Sequence, residues 1–339
     1  MLSATFQGPY KIEALETDIP SPGDGEVLVK VYASGICGSD LAIVSGQHPR
    51  AKPPLVIGHE FAGEVVSLGG GDTGEFQTGD RVTLFPLLTC GTCYACRNGF
   101  SHVCASLRLI GFDRNGGMAD YVTVPVDLLV RLPNDMTYDV GALIEPLAVC
   151  IHAVGRTTVR KEDAVVVLGA GPIGLLTAMT LRSIGVEKLY ITDIDPFRLD
   201  IARSLKFDAV DSSQTDIVEY IKAATNGDMA DRLFEVAGVQ ASATQMTELV
   251  RPRGTIVNVS VFKKQPVVDM RSVNFKELTL IGTRVYTQDD YRIALDIAGA
   301  MPLDQIVSHR LPLTEVAGAF KTIFDGNQVC KVLFTFGPE

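Results

Sequence analysis

A glycine-rich turn near the middle of the 339-residue chain constrains the fold more than any other feature. Gly169-Ala170-Gly171-Pro172-Ile173-Gly174 follows the apolar run 164–168 and opens a helical segment that continues to about residue 184. In this pattern the first glycine permits a tight turn, the second lets a pyrophosphate approach the backbone, and the third lets the helix pack closely on the strand. The free N–H groups at the start of the helix then hold phosphate oxygens. The turn therefore indicates a dinucleotide site on condition that an acidic residue ends the next strand.

An acidic residue stands at the distance that a dinucleotide site requires. Such a site needs a carboxylate at the end of the next strand, about 20 residues beyond the turn. The run Tyr190-Ile191-Thr192-Asp193 supplies it, and a carboxylate there binds the adenosine ribose and repels the 2′-phosphate of NADP. We therefore expect NAD as the cofactor, and Arg198 either contacts the ribose or is a solvated surface arginine. The alternative is a plain glycine turn in which Asp193 caps the following helix.

The order of strands and helices divides the chain into regions of different character. Before residue 150 the chain is predicted to be rich in β-strands, because short runs alternate apolar and polar residues between glycine and proline clusters. These runs are 26–33, 61–66, 81–84 and 121–124. From about Lys161 onward, strands alternate with helices, which is typical of a parallel α/β sheet. The tail, 283–339, has one helical stretch near 314–324 and a strand near 331–336.

Composition and charge limit the classes of function. Hydrophobic residues make up 46% and charged residues 21% of the chain, which is typical of a globular protein of two domains and excludes a disordered chain. The formal net charge of −10 disfavours nucleic acid and membrane surfaces as partners. The uncharged stretch 164–181 contains the glycine turn and Pro172, so we interpret it as strand, turn and helix rather than a membrane span. The first residues lack a signal-peptide pattern, so a cytoplasmic location is expected.

Four of the seven cysteines are clustered with the spacing of metal ligands. They are Cys90, Cys93, Cys96 and Cys104. Short loops of this kind bring four sulfurs together, and four thiolates in a closed tetrahedron suit a structural zinc ion. The alternatives are clustered free thiols and an iron–sulfur cluster, which expects a last gap of three residues followed by proline. Here seven residues precede the last cysteine and Ala105 follows it, so zinc is favoured.

Cys37 and the pair His59-Glu60 are candidates for a second metal site. A thiolate, an imidazole and a carboxylate are ligand types of an open zinc site, which leaves one position for substrate. Because the two segments are 22 residues apart, the spacing alone leaves a second interpretation open, a buried thiol and a hydrogen-bonded core histidine. Residue types therefore indicate a shared metal without deciding between the two interpretations.

Several motifs, taken in order, resemble the zinc-dependent medium-chain dehydrogenase/reductase family. They are Gly58-His59-Glu60-x2-Gly63-x-Val65, Gly79-Asp80-Arg81-Val82, the loop from Cys90 to Cys104, and the turn from Gly169 to Gly174. Within that family the chain is most similar to the sorbitol, L-threonine and sugar-acid dehydrogenases, because Ala142-Leu143-Ile144-Glu145-Pro146-Leu147 resembles the polyol branch. The resemblance implies two zinc ions per chain, with Cys37, His59, Glu60 and Glu145 at the catalytic one.

The resemblance also implies the fold and the order of the domains. Residues 1–150 are expected to form a partly opened β-barrel of the GroES-like type, which is the catalytic zinc-binding domain. Residues 151–282 are expected to form the NAD-binding Rossmann domain, a doubly wound parallel sheet. Residues 283–339 are expected to return to the catalytic domain. The fold class is α/β.

Individual residues acquire roles from the same resemblance. Ser39 matches a proton-relay position, and His48 is either a later member of that relay or a surface loop histidine. Asp40 matches a position that orients the ligating imidazole, with a turn aspartate as the alternative. Arg284 matches a position near the substrate, where it would bind hydroxyls or a sugar-acid carboxylate, and a structural surface pair is the alternative.

The implied activity is transfer of hydride from a secondary alcohol of a polyol or sugar acid to NAD, which gives the ketone. The lack of tryptophan and the 7% aromatic content favour a small polyhydroxylated substrate. An L-threonine 3-dehydrogenase and a sugar-alcohol-phosphate dehydrogenase stay open as alternatives. The zinc ligands disfavour a catalytically silent NAD- and zinc-binding protein, and the charge disfavours a zinc-ribbon nucleic-acid binder. Relatives suggest a homodimer or a homotetramer.

Overall fold

The computed structural model describes residues 1–326 and 328–337. The chain forms two compact units, of which the first comprises Met1–Glu145 and Thr287–Glu339 and the second comprises Pro146–Tyr286. The sequence placed the boundaries after residues 150 and 282, whereas the units divide after Glu145 and Tyr286. Within the described ranges, none of the helices combines the length and the apolar character that crossing a bilayer requires.

Eighteen strands are described, in chain order, within the two ranges given above. They are β1 (Leu2–Gly8), β2 (Lys11–Glu16), β3 (Glu26–Gly35), β4 (Leu55–Val56), β5 (Glu60–Leu68), β6 (Arg81–Leu84), β7 (Leu87–Leu88), β8 (Arg108–Leu109), β9 (Tyr121–Pro125), β10 (Leu129–Arg131), β11 (Val165–Leu168), β12 (Leu189–Asp193), β13 (Asp208–Asp211), β14 (Ala230–Glu235), β15 (Val250–Asn258), β16 (Thr279–Gly282), β17 (Val307–Pro312) and β18 (Lys331–Thr335).

Eleven α-helices are described in the same part of the chain. They are α1 (Gly38–Val44), α2 (Tyr94–Arg97), α3 (Tyr138–Ala142), α4 (Ile144–Gly155), α5 (Pro172–Ser183), α6 (Pro196–Ser204), α7 (Ile217–Ala224), α8 (Gln240–Gln245), α9 (Met270–Phe275), α10 (Gln288–Ala298) and α11 (Val316–Phe324).

The first unit is built mainly from antiparallel strands. Its seven-stranded sheet has the order β10-β6-β5-β3-β18-β17, with β9 paired to β3 beside this path. The central strand β3 alternates buried and less buried positions only from Val29 to Ala33, and three consecutive residues are buried on either side of that stretch's centre, at 27–29 and 33–35. It pairs with β5 from Val27 to Gly35. The C-terminal strand β18 pairs with β3 as well, so the tail of the chain completes this sheet.

The second unit is a parallel six-stranded sheet with helices. Its strand order is β13-β12-β11-β14-β15-β16. The chain adds strands on one side of β11 up to β13 and on its other side from β14 onward, so the strand order reverses between β11 and β14. Strands such as β11 are buried throughout, because helices cover both faces of a parallel sheet. Val166, Leu233 and Ile256 belong to the core of this unit and pack with Ile217 and Ile221 of α7. The doubly wound α/β arrangement that the sequence predicted is confirmed.

One sequence expectation for the tail was wrong. The tail contains α10 as well as α11, and a strand β17, where a single helix and a single strand were predicted. Helix α10 begins with a capping box in which Thr287 and Asp290 bind each other's backbone N–H groups. Tyr291 of this helix is buried and donates a hydrogen bond to the carbonyl oxygen of Leu84 over 2.7 Å. Five of its eleven residues carry charged or amide side chains, and these hid the short apolar stripe that includes Tyr291.

Candidate active site and metal centres

The glycine turn of the second unit has the geometry that a dinucleotide site requires. Gly169 has a φ of +112°, which disfavours residues with a side chain. A Cβ atom on Gly174 would collide with the carbonyl oxygen of Gly169, so the third glycine is needed for α5 to approach β11. Gly171 is the N-cap residue of α5 and Pro172 occupies its first turn, where the missing N–H costs nothing. The first N–H groups of a helix have no acceptor within it, so the start of α5 offers donors to a phosphate.

Asp193 ends β12 and is fixed by three backbone N–H groups. One oxygen accepts from Ala170 N over 2.7 Å, and the other accepts from Ile194 N and Asp195 N over 2.8 and 3.0 Å. The carboxylate therefore connects the end of one strand to the glycine turn of the neighbouring strand. Arg198 lies 3.5 Å from the carboxylate of Asp195 and places its guanidinium near Gly171. The glycine turn, Asp193 and Arg198 are thus adjacent.

The four clustered cysteines bring their sulfur atoms together. The Sγ–Sγ distances are 3.5 Å from Cys93 to Cys96 and from Cys104 to Cys90, and 3.9 Å from Cys90 to Cys96 and from Cys93 to Cys104. Four sulfurs placed tetrahedrally about 2.3 Å from a zinc ion would be separated by about 3.8 Å, which agrees with these distances. The spacing of the thiols therefore fits a four-thiolate metal.

Hydrogen bonds to the sulfurs shift the acidity of individual thiols in this cluster. Hydrogen bonds from Thr92 and from the backbone N–H of Cys93 lower the pKa of Cys90 to about 5. Burial, together with the neighbouring thiols, raises the pKa of Cys96 to about 11. Hydrogen bonds from the backbone N–H groups of Ala105 and Cys96 lower the pKa of Cys93 as well. Metal ligation needs thiolates, so the surroundings favour the thiolate at Cys90 and Cys93 and disfavour it at Cys96.

Cys37, His59 and Glu60 converge in the first unit. One ligand atom from each of these residues lies within 4.8 Å of the other two. Cys37 follows β3 and is the N-cap residue of α1, whereas Glu60 begins β5 and pairs in register with Gly35. The antiparallel pairing of β3 with β5 therefore closes the gap of 22 residues that the sequence left open.

Asp40 lies beneath this cluster and is fully buried. One of its oxygens accepts the N–H of Cys37 over 2.9 Å, and the other lies 3.8 Å from Nδ1 of His59. Neither that oxygen nor His59 Nδ1 has a hydrogen-bond partner among the described residues. Burial raises the pKa of Asp40 to about 6, although the neighbouring imidazole opposes the shift. Burial lowers the pKa of His59, but the charges of Cys37, Asp40 and Glu145 outweigh it and raise that pKa well above its ordinary value.

Lys331 is a residue of this site that the sequence analysis missed. Its side chain is 3% exposed, forms an ion pair with Oε2 of Glu60, and donates to the carbonyl oxygen of Ile36 over 2.9 Å. Gly35 makes room for this pair, because a Cβ at that position would lie 3.0 Å from Cε of Lys331 and closer still to Glu60. A lysine that directly precedes an apolar run, Lys331-Val332-Leu333-Phe334, is the sequence signal that could have indicated it, because a lysine is rarely fully buried without a partner.

The remaining predicted residues have different surroundings. Glu145 is the second residue of α4 and is buried, and its charge acts on His59, but it is not part of the three-residue cluster. The hydroxyl of Ser39 is buried and has no hydrogen-bond partner in the described part of the chain. Nδ1 of His48 accepts the N–H of Ala51 over 3.0 Å, and burial lowers the pKa of His48. Arg284 follows β16 in the second unit and is exposed.

A parallel sheet with a dinucleotide turn, together with a unit that carries two sets of metal-ligating side chains, defines a class of metal-dependent oxidoreductases that use a nicotinamide dinucleotide. Two family models match the chain. Residues 23–134 match the alcohol dehydrogenase GroES-like domain, and residues 172–299 match the zinc-binding dehydrogenase model. The chain belongs to the zinc-dependent medium-chain dehydrogenase/reductase family. It is an enzyme, and its family uses zinc and NAD(P).

Similar proteins cover almost the entire chain. A 2-dehydro-3-deoxy-L-galactonate 5-dehydrogenase from Pseudoalteromonas atlantica is 35% identical over 96% of both chains. A D-arabitol-phosphate dehydrogenase from Enterococcus avium is 32% identical and covers 100% of this chain and 97% of its own. The NADP-bound structure of a protein from Sinorhizobium meliloti superposes with a TM-score of 0.92 and 32% identity over 99% of both chains. The predicted family, fold class and enzyme class are confirmed.

Proposed function

We propose that this chain oxidises a secondary hydroxyl of a polyol or sugar acid to the ketone with NAD as hydride acceptor. The observation that carries the proposal is the convergence of half-buried Cys37 with buried His59 and Glu60, whose ligand atoms lie within 4.8 Å of one another. Relatives that cover the whole chain act on a sugar acid and on a sugar-alcohol phosphate, which supports a polyhydroxylated substrate.

The donor set fits a zinc ion. Thiolate, imidazole and carboxylate are zinc ligands, and Cys37, His59 and Glu60 each offer one ligand atom within 4.8 Å of the other two. We assign Cys37, His59 and Glu60 to the catalytic zinc, with Glu145 as a fourth ligand, directly or through water. When bound, zinc supplies Lewis acidity at the substrate oxygen, and the nicotinamide ring accepts the hydride.

Residues around the ligands orient them and handle the proton. Asp40 accepts the N–H of Cys37 and faces Nδ1 of His59, which favours a proton on Nδ1 and leaves Nε2 free to ligate. We assign Ser39 to the first step of proton removal, because its hydroxyl is buried beside Cys37 with no partner in the described residues. His48 is a candidate for a later step, and its lowered pKa keeps a neutral ring that can accept a proton.

Cys90, Cys93, Cys96 and Cys104 are assigned to a second, structural zinc, which makes two ions per chain. A closed set of four thiolates leaves no position for substrate, so this ion would stabilise its loop and take no part in the reaction. The site needs reduced sulfurs, and each of these cysteines is a free thiol. This requirement supports the proposed cytoplasmic location.

For the cofactor we assign Gly169, Gly171, Pro172, Ile173 and Gly174 to the pyrophosphate and Asp193 and Arg198 to the adenosine ribose. The carboxylate of Asp193 is held in place by three N–H groups, which supports a preference for NAD. The relative from Sinorhizobium meliloti binds NADP, so kcat/KM measured with NAD and with NADP tests this preference.

For the substrate we assign Arg284, whose guanidinium can bind a carboxylate through two parallel hydrogen bonds. The test is Arg284→Met measured on a neutral polyol and on an aldonate. We expect kcat/KM for the aldonate to fall about tenfold more than for the polyol, which corresponds to about 1.4 kcal/mol. Equal losses for the two substrates would remove the carboxylate role.

A homodimer or homotetramer is part of the proposal. Strand β16 is an edge strand of its sheet, and Leu280 on it is 43% exposed. Phe275, at the end of the preceding helix, is 77% exposed. An exposed edge strand with apolar neighbours is a surface that pairs with another chain, which supports association of copies. Light scattering on the purified protein measures the number of chains.

The central experiment measures zinc content and then NADH formation at 340 nm. NAD would be supplied with a panel of polyols, aldonates, sugar-alcohol phosphates and L-threonine. We expect turnover with a polyol or an aldonate. Protein that holds two zinc ions, binds NADH and yet oxidises none of these alcohols would contradict the proposed activity.

A further inference from the structure

The second unit contains a buried carboxylate that the proposed mechanism does not use. Glu235 is the last residue of β14 and its side chain is 0% exposed. One of its oxygens accepts from Ala237 N over 3.1 Å, Gly238 N over 2.8 Å and Ser242 Oγ over 2.6 Å. The other accepts from the hydroxyl of Ser260. A buried carboxylate is costly unless hydrogen bonds replace its hydration, and here four donors do so.

This carboxylate lies where the strand order of the sheet reverses. Glu235 pairs in register with Leu168, which directly precedes the glycine turn, and the order changes direction between their two strands. Dinucleotides bind in the crevice at such a point. The segment that follows Glu235 packs on the turn, because a Cβ on Gly169 would lie 3.2 Å from Ala237 N and 3.2 Å from Val236. Its other side is open, since Val239 is 51% exposed.

The second oxygen connects the segment to the next strand. Ser260 lies just beyond β15, and its hydroxyl binds Glu235. The backbone N–H groups of Val259 and Ser260 donate to the carbonyl oxygen of Glu235 over 2.9 and 3.1 Å. One residue thus holds the ends of two adjacent strands, β14 and β15, in a fixed relation at the crevice.

We propose that Glu235 is a positioning residue for the nicotinamide half of the bound dinucleotide. The sheet has two halves, and the adenosine half belongs to β11 and β12, where the glycine turn and Asp193 lie. The loops that leave β14 and β15 are on the other side of the reversal, so they face the second half of the cofactor. By holding 236–239 and 258–260 in place, Glu235 shapes the surface that this half meets. The inference rests on the proposed nucleotide site at the glycine turn.

The size of the effect follows from the contacts that would be lost. In Glu235→Ala the N–H groups of Ala237 and Gly238 and the hydroxyl of Ser260 lose their common acceptor. Apparent affinity falls in proportion to the population of the binding-competent arrangement. If the freed loops keep that arrangement about one tenth of the time, the Kd for NADH rises about tenfold.

Two further variants, Glu235→Gln and Ser260→Ala, test whether Glu235 acts through its hydrogen bonds. In Glu235→Gln the amide oxygen can accept from Ala237, Gly238 and Ser242, and the amide nitrogen can donate to the hydroxyl of Ser260. Ser260→Ala removes only the connection to β15.

Asp231→Ala is the matched control. Asp231 lies near the other end of β14, away from the crevice, and its carboxylate also braces neighbouring chain segments. It accepts Ala164 N over 2.8 Å and Arg251 Nε over 2.7 Å. Asp231→Ala should therefore lower the stability of the protein and leave the crevice unchanged.

The experiment is fluorescence titration of each variant with NADH, together with competition by AMP, which lacks the nicotinamide half. We expect Glu235→Ala to raise the Kd for NADH about tenfold and to leave that for AMP within about twofold. Glu235→Gln should bind both nucleotides like the wild type. Asp231→Ala should melt at a lower temperature than the wild type and bind both nucleotides unchanged.

Three results would overturn the inference: an unchanged Kd for NADH in Glu235→Ala, an equal loss for NADH and AMP, or an equal loss in Asp231→Ala. If Glu235→Ala does not fold, Ser260→Ala decides instead. We expect it to raise the Kd for NADH about threefold, which is a smaller loss because one connection of four is removed. An unchanged Kd in Ser260→Ala would then overturn the inference. A wild-type protein that binds no NADH would contradict the proposed function instead.

Discussion

Replacement of Lys331 by methionine tests how the proposed catalytic site is held together without its metal. The ammonium group of Lys331 is buried against the carboxylate of Glu60, and both side chains are no more than 3% exposed. Methionine keeps the length and the apolar stem of the side chain and removes its charge. Glu60 would then be a buried carboxylate without a cationic partner, and the carbonyl oxygen of Ile36 would lose a donor.

The expected loss can be worked from this geometry. Removing one partner of a buried ion pair costs about 3–5 kcal/mol. The first unit has about 200 residues, for which each kcal/mol changes the melting temperature by about 2–4 °C. We therefore expect chelator-treated Lys331→Met to melt about 6–20 °C below chelator-treated wild type. With zinc bound the loss should be much smaller, because a cation then ligates Glu60.

The assay is thermal unfolding of wild type and variant at pH 7, each with zinc and after chelation. Lys321→Met is the control, because Lys321 pairs with Asp325 at the surface of the same unit and its loss should not change the melting temperature measurably. Lys331→Met combined with Glu60→Gln should recover most of the loss, since no unpaired charge is left. A chelated Lys331→Met that melts with the wild type would refute the ion-pair argument. Equal losses with and without zinc would refute the assignment of Glu60 to the metal.

Three further predictions concern the other assigned residues. Glu145→Ala should keep the fold and the four-thiolate zinc but lower catalytic-metal affinity or turnover about 10–100-fold, and wild-type turnover with both zinc ions retained would exclude the assignment. In chelated protein at pH 6, iodoacetamide should label Cys90 before Cys96. A pKa of about 5 leaves Cys90 mostly thiolate, whereas a pKa of about 11 leaves Cys96 protonated. Peptide mapping by mass spectrometry measures the labelling, and equal labelling of the two cysteines would contradict this prediction. Asp193→Ala should raise the NADP-to-NAD ratio of kcat/KM about tenfold and also weaken NAD binding, because Ala170 N loses its acceptor; a wild type that already prefers NADP would show that the ribose argument is wrong.

Local sequence patterns determined the fold of the second unit and the position of the four-cysteine cluster. Short-range signals were sufficient to predict the parallel sheet of the second unit. They are the glycine turn, Asp193 and the alternation of strands and helices, and each of them involves only a few neighbouring residues. The cluster from Cys90 to Cys104 is equally local, since a 15-residue loop brings its own sulfurs together. The secondary structure of the tail was predicted less completely, because the apolar stripe of α10 is too short to indicate a helix.

Only the tertiary structure decided which distant residues share a site. Cys37 meets Glu60 because β3 and β5 pair with Gly35 opposite Glu60, a register that residue types alone do not fix. Lys331 reaches the same carboxylate from a strand 271 positions later, because β18 pairs with β3. Glu235 binds Ser260 because parallel strands end at the same edge of a sheet. Sequence patterns predict structure over neighbouring residues, whereas pairing between strands far apart in the chain sets the partners of buried charges.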